Sequence, residues 1–354
     1  MENRKTGIDI IKVLASISVV GVHFFLYTQY YETPLTNTVM IIQSILRNFF
    51  MICIPLFVLV TGYLMGTKKI EIEKKHYKKV IPILITVFFI SFIVVILRRY
   101  YFKDPGSLLS RLASIVSFNA AVNFYWYIEM YLGLFLIIPF INILYQNINK
   151  KNKQYLIIIL LILTHNSFLT AGIPFRNKLL VVLGDYWFDF YPITFYFIGA
   201  YIAEFKPKIK KSILLLAGLL VMAITNLLHI FISYSLETKL PVNSVVKHNS
   251  LLIAVISVIV FLLLYDLIIK NKKIEKIVVK LSNLTLEIYL FSYIIERLVY
   301  PYFIENYFVN QSKFTIYILL TTPIIYILSV IASLLKEFIF KIGTQIFNKL
   351  LKNK

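Results

Sequence analysis

The sequence predicts an all-α, polytopic integral membrane protein: a bundle of about ten transmembrane helices with both termini in the cytoplasm. Three observations lead there. Of the 354 residues, 59% are hydrophobic and 15% charged, with a mean hydropathy of +0.79; a soluble domain carries about a quarter charged residues. Apolar runs long enough to cross about 30 Å of hydrocarbon recur along the chain. Between them the basic residues alternate. The N-terminus and stretches 68–79, 150–153, 206–211, 270–280 and 336–354 hold 25 of the 37 Lys and Arg, and the intervening loops hold nine. Basic residues collect in cytoplasmic loops, so both chain ends are placed there and the number of crossings is even.

In chain order, helices are expected near 8–29, 38–66, 80–101, 124–147 and 154–171, then near 188–205, 212–234, 249–270, 283–304 and 312–335. The first is too long for a signal-peptide core and carries Asp9 and Lys12 within it, so cleavage is not expected. The second must tilt, kink or extend beyond the hydrocarbon. Within it Pro55 frees a backbone carbonyl one turn earlier, and Gly62 allows a neighbouring helix to approach closely. Residues 335–354 are lysine-studded and amphipathic, suited to lie on the inner leaflet. With no linker or low-complexity tract, residues 1–354 form one transmembrane domain.

Composition also excludes several function classes. The net charge of +20 raises nucleic acid as a partner. The lysines, however, sit in short blocks between apolar runs, the pattern of loops beside anionic membrane lipid, so nucleic acid is not expected. Cys53 is the single cysteine and lies in an apolar stretch, which leaves no disulfide framework or thiolate cluster within one chain. No metal-ligand spacing, phosphate-binding glycine loop or hydrolase elbow is present, so no metal or bound cofactor is expected.

Chemistry is concentrated in the first segment. At about 100° per residue, the eleven-residue step from Lys12 to His23 closes to within about 20° of full turns. Asp9 is an i,i+3 neighbour of Lys12, so Asp9, Lys12 and His23 share one stripe. The rise sets His23 about 16 Å above Lys12, roughly mid-bilayer if Lys12 marks the cytoplasmic edge. Protonatable groups at that depth face a bundle interior or a wet cavity; otherwise His23 bonds a neighbouring helix and Lys12 snorkels. Arg47 is a second intramembrane charge, with a binding role or a snorkelling one. Glu129 is a carboxylate in an apolar span, and Trp126, Tyr127 and Tyr131 lie beside it. These aromatics suit either the face of a sugar or the membrane interface. Lys74, Lys75, Lys78 and Lys79 form a basic block that satisfies positive-inside bias and could also attract an anionic donor. Glu296 and Arg297 are expected to pair with each other. His165 and His229 are expected to be isolated packing residues, and His76 and His248 to sit in loops without a constellation.

Several landmarks, in order and over most of the chain, resemble the membrane-bound acyltransferase family called acyltransferase type 3. Asp9, Lys12 and His23 reproduce its N-terminal spacing, although Lys12 stands where the family more often has Arg. Pro55-Leu56-Phe57 and Thr61-Gly62-Tyr63 are similar to its second landmark, and Trp126-Tyr127, Tyr131 and Pro139 to its third. The segment LSNLTLEIYLFSYII resembles its last, with Ser292 where many members have His. The resemblance implies transfer of an acyl group, usually acetyl from cytosolic acetyl-CoA or another acyl-CoA, to a hydroxyl of a cell-envelope polysaccharide or glycolipid. On that reading His23, Lys12 and Asp9 are catalytic, with His23 the general base, whose ordinary pKa near 6.5 suits neutral pH. Arg47, Trp126, Tyr127 and Glu129 hold the acceptor, and Lys74, Lys75, Lys78 and Lys79 draw in the acyl-CoA. The partners are then acyl-CoA, the envelope glycan or glycolipid and membrane lipids, in the cytoplasmic membrane of a bacterium. The alternative is a polysaccharide or lipid-linked-sugar exporter without chemistry, its path lined by His23 and Arg47; discontinuous helices favour that reading.

Overall fold

A computed structural model describes residues 6–352 apart from 70–71, 116–124, 166–172, 176–177, 181–183, 236–237 and 242–245. The described residues are almost wholly helical. The first half of the chain forms α1 (Thr6–Tyr27), α2 (Thr38–Phe50), α3 (Cys53–Met65), α4 (Lys74–Tyr77), α5 (Ile81–Tyr100), α6 (Leu108–Ser114), α7 (Trp126–Gln146) and α8 (Lys150–Thr164). A small antiparallel hairpin follows, β1 (Ile173–Phe175) with β2 (Lys178–Leu180), in register Ile173–Leu180. The second half forms α9 (Tyr191–Phe205), α10 (Lys211–Ser235), α11 (Leu251–Leu264), α12 (Lys272–Asn283), α13 (Thr285–Tyr307), α14 (Gln311–Phe314) and α15 (Ile318–Lys352).

By length and composition six of the described helical segments can cross a membrane, or seven if the pair α12–α13, bent by 68° at Leu284, forms one span. The expected number was about ten. Among the described residues the difference lies in the segments expected near 154–171, 188–205 and 249–270, where α8, α9 and α11 have 15, 15 and 14 residues; positions 166–171 of the first lie outside the described residues. At about 1.5 Å per residue these reach about 21–23 Å, short of a full hydrocarbon thickness. The Asn149 and Ser250 side chains cap the starts of α8 and α11, while Lys206 turns left-handed (φ +43°) and ends α9.

Two other boundaries differ from expectation. The span 38–66 is interrupted at Met51–Ile52, one turn before Pro55. The residues after 335 continue α15 without a break.

The centre of the bundle is the crossing of α3 and α9. A Cβ on Gly62 would stand 2.0 Å from the Tyr196 carbonyl oxygen, and one on Gly199 2.2 Å from that of Leu59. Each glycine therefore lets the other helix's backbone into contact, the close approach foreseen for Gly62. α1 packs against α3, α12, α13 and α15, so it is surrounded on most sides.

Polar ties separate the two ends of the bundle. At one end Thr6 Oγ1 donates to the Leu267 carbonyl, Lys153 pairs with Glu204 at 2.9 Å, Lys211 with Asp266 at 3.0 Å, and Lys280 with Glu337. At the other, Asp104 receives Arg98 at 2.8 Å and both Arg297 terminal nitrogens at 2.7 and 2.8 Å. The two arginines hold the Asp104 carboxyl well below the usual carboxylate range. The lysine blocks thus gather at one end, together with the first turn of α1 and Glu337 of α15.

Candidate functional site

Within α1, Lys12 lies six residues from the first residue and His23 four residues from the last. At about 1.5 Å per residue His23 is about 6 Å from the lysine-poor end. The stripe seen in the sequence is kept, with Lys12 toward the lysine-rich end of α1 and His23 toward the other.

His23 is 6% exposed and Glu296 fully buried. Nδ1 of His23 lies 2.8 Å from Oε1 of Glu296, on α13. The expected Glu296–Arg297 pair is therefore not formed. Adjacent helical residues point about 100° apart, so Glu296 turns inward to His23 while Arg297 turns to Asp104 and lies over the Phe102 ring at 4.2 Å.

The His23 imidazole lines a cavity of about 180 Å³ with Arg47, Trp126, His248 and Tyr289. Arg47, 4% exposed, donates to the Val246 carbonyl at 2.6 Å, to the Asn48 side chain at 3.2 Å and to the Tyr31 hydroxyl at 3.1 Å. Beside it Ser44, Asn48, Asn226 and His229 form a buried polar cluster, with Ser44 Oγ 2.9 Å from His229 Nδ1. His229 is therefore part of a network rather than an isolated packing residue.

A second cavity, of about 270 Å³, adjoins the first, and Val19, Ile54 and Tyr289 line both. Lys12, Thr285 and the aromatic rings of Tyr127 and Tyr131 contribute to its wall. Trp126 and Tyr127 thus serve different cavities, for the same angular reason that separates Glu296 from Arg297. Together the two spaces run beside α1 from Lys12 to His23.

Other expected site residues lie elsewhere. Asp9, 4% exposed, accepts from Ser282 Oγ at 2.6 Å and so ties α1 to α12, outside the lining of either cavity. Glu129 is exposed in the first turn of α7, not deep in an apolar span, and lines a separate recess with Asp189. Lys74, Lys75, Lys78 and Lys79 are exposed on α4 and the turn after it, and line neither cavity. Lys336, counted among the tail lysines, is buried and bonded to Glu287 and Thr86, each at 2.9 Å.

His248 was expected to have no constellation and has one. It lines the His23 cavity, its ring 5.9 Å from that of Trp126, and its Nδ1 lies 2.9 Å from the Met51 carbonyl oxygen. A sequence signal for this did exist. Pro55 has no N–H for the carbonyl four residues earlier, and that carbonyl belongs to Met51. Nothing in sequence spacing pointed to Glu296 as the partner of His23, because the bond joins helices 273 residues apart.

Chemically, the arrangement is a buried imidazole held by a carboxylate, next to a guanidinium, with a lysine toward the far end of the adjoining cavity. Such a set suits proton transfer beside a developing negative charge. Compared with known proteins, residues 5–331 match a family model described as an acyltransferase domain. No curated protein and no solved structure matches the chain.

Proposed function

The chain belongs to the acyltransferase type 3 family, and from that premise we propose that it moves an acyl group, most often acetyl, from cytosolic acyl-CoA to a hydroxyl of a cell-envelope polysaccharide or glycolipid. It is a membrane acyltransferase; acyl-CoA is its co-substrate and the bacterial cytoplasmic membrane its place. The observation that carries the proposal is the 2.8 Å contact of Glu296 with His23, which lines a cavity adjoining the one reached by Lys12.

Positive-inside bias assigns the lysine-rich end to the cytoplasm. The donor then approaches from that end, drawn by Lys74, Lys75, Lys78 and Lys79 and met by Lys12, and its acyl thioester extends past Val19, Ile54 and Tyr289. The acceptor approaches from the opposite end. Glu296 orients the ring through Nδ1, so the hydroxyl proton passes to Nε2 of His23 as the oxygen attacks the thioester carbonyl. Arg47 places positive charge beside the oxyanion that forms. Collapse of that intermediate expels the coenzyme A thiolate, which takes the proton back, giving an ester and the free thiol.

The test uses the full chain in lipid nanodiscs with radiolabelled acetyl-CoA and isolated envelope glycan. Label should appear on the glycan as an alkali-labile ester and be lost with His23→Gln. A second reading, glycan export without chemistry, is favoured by the helix interruptions at Met51–Ile52 and Leu284. An exporter consumes no thioester, so release of free coenzyme A separates the two.

A further inference from the structure

His248 stands between two spaces. One is the cavity that it shares with His23 and Arg47. The other is a recess of about 340 Å³, where Asp185, Asp189, Lys247 and Asn249 supply polar groups. Met51, Trp126 and His248 line both, so they form the wall that the recess and the His23 cavity share.

The chain itself fixes the His248 ring. Because Pro55 cannot donate to the Met51 carbonyl, that oxygen is open to His248 Nδ1 at 2.9 Å. A carbonyl only accepts, so Nδ1 carries the hydrogen and Nε2 of the neutral ring presents its lone pair. Enclosure, aided by the charge of Arg47 and the proximity of His23, pushes the His248 pKa down to about 4. At neutral pH the ring is therefore an acceptor and not a cation. Arg47 steadies the same segment through its bond to the Val246 carbonyl.

We propose that His248 is a specificity-determining residue, whose Nε2 accepts a hydrogen bond from one hydroxyl of the acceptor while a neighbouring hydroxyl of the same molecule faces His23. This rests on the acyl-transfer reading and narrows its acceptor to molecules with two hydroxyls within reach of each other, as on a sugar ring. A lone alcohol leaves Nε2 without that hydrogen bond, which a site built for a hydroxyl penalises.

In the test, the full chain in nanodiscs receives radiolabelled acetyl-CoA and either 1,2-propanediol or 1-propanol as a minimal acceptor, and kcat/KM for ester formation is measured. The wild type should favour the diol by about tenfold or more. His248→Phe keeps a planar ring against Trp126 but has no acceptor atom, and should bring the ratio close to one. His248→Gln, whose amide oxygen still accepts, should retain part of it; if the Phe variant does not fold, a measurably smaller ratio in the Gln variant decides. Equal use of both alcohols by the wild type, or an unchanged ratio in the variants, overturns the inference and leaves the acyl-transfer reading standing. No ester on either alcohol also overturns it. In that case acetylation of envelope glycan by the same preparation preserves the acyl-transfer reading, and its absence removes both.

Discussion

The Nδ1 atom of His23 and the Oε1 atom of Glu296 lie 2.8 Å apart, joining α1 to α13 in a contact that excludes bulk water. A carboxylate on Nδ1 selects the tautomer and holds the ring plane, so the proton-accepting nitrogen faces one direction. The first prediction follows. His23→Gln keeps hydrogen bonding but cannot take a proton, and acyl transfer should fall by about two to four orders of magnitude. Glu296→Gln should fall less, by roughly tenfold to a hundredfold, the worth of one charge-assisted bond. Single-turnover rates of purified variants check both, and a near wild-type rate for His23→Gln would make the histidine structural.

Lys12 lines the cavity that adjoins the His23 cavity. Lys12→Arg retains the charge and should keep activity, whereas Lys12→Ala should raise the KM for acyl-CoA. Neutralising Lys74, Lys75, Lys78 and Lys79 together should weaken acyl-CoA binding at low salt and much less at high salt, since attraction between exposed charges is screened. Titrations at two ionic strengths distinguish the two effects; a salt-independent result would leave the block as a topology signal alone.

Asp104 joins the α5–α6 connection to α13 through Arg98 and Arg297. Its pKa is depressed when folded, so its contribution to stability is present above its unfolded value, about 3.9, and is lost as pH falls through the folded one. Asp104→Asn should lower the melting temperature by a constant margin between pH 8 and 5. That margin should shrink below about pH 4. Melting curves in detergent across this range test it, and a margin that widens with acid would contradict the sign.

The α3–α9 crossing has no room for a side chain at Gly62. Gly62→Leu should force the helices apart and leave little monodisperse protein, because a Cβ there meets backbone and not a movable side chain. The same replacement at Gly133, where nothing stands within 4 Å of the built Cβ, should be tolerated. Size-exclusion profiles of the two variants give the comparison; equal yields would mean that the crossing relaxes without cost.

Orientation is tested by labelling. With Cys53 replaced, cysteines at Lys151 and Lys273 should resist an impermeant thiol reagent added to intact cells, and one at Lys313 should react. The opposite pattern would invert the topology. A cysteine at position 243, in the same expected outer loop as Lys239, falls outside the described residues.

What the sequence determined by itself is the part written in local terms. Apolar runs and lysine blocks specify a helical membrane bundle with two chemically different ends, because a buried backbone must satisfy its own hydrogen bonds and basic residues favour one side of a membrane. The eleven-residue step specifies that Lys12 and His23 share a stripe, and Pro55 that the second segment breaks near Met51. Tertiary structure alone decided what each stripe meets. Glu296 and Arg297 are neighbours in sequence, yet helical geometry sends one to His23 and the other to Asp104. The carbonyl that Pro55 leaves open was legible, but not that His248, 197 residues away, would occupy it. Asp9 shares the stripe and still turns to Ser282, since the neighbour packed against each turn of α1 changes along its length. Spacing along one helix fixes direction; the identity of the partner depends on how separate helices cross, and that is settled only when close contacts such as Gly62 of α3 against Tyr196 of α9 set their distances.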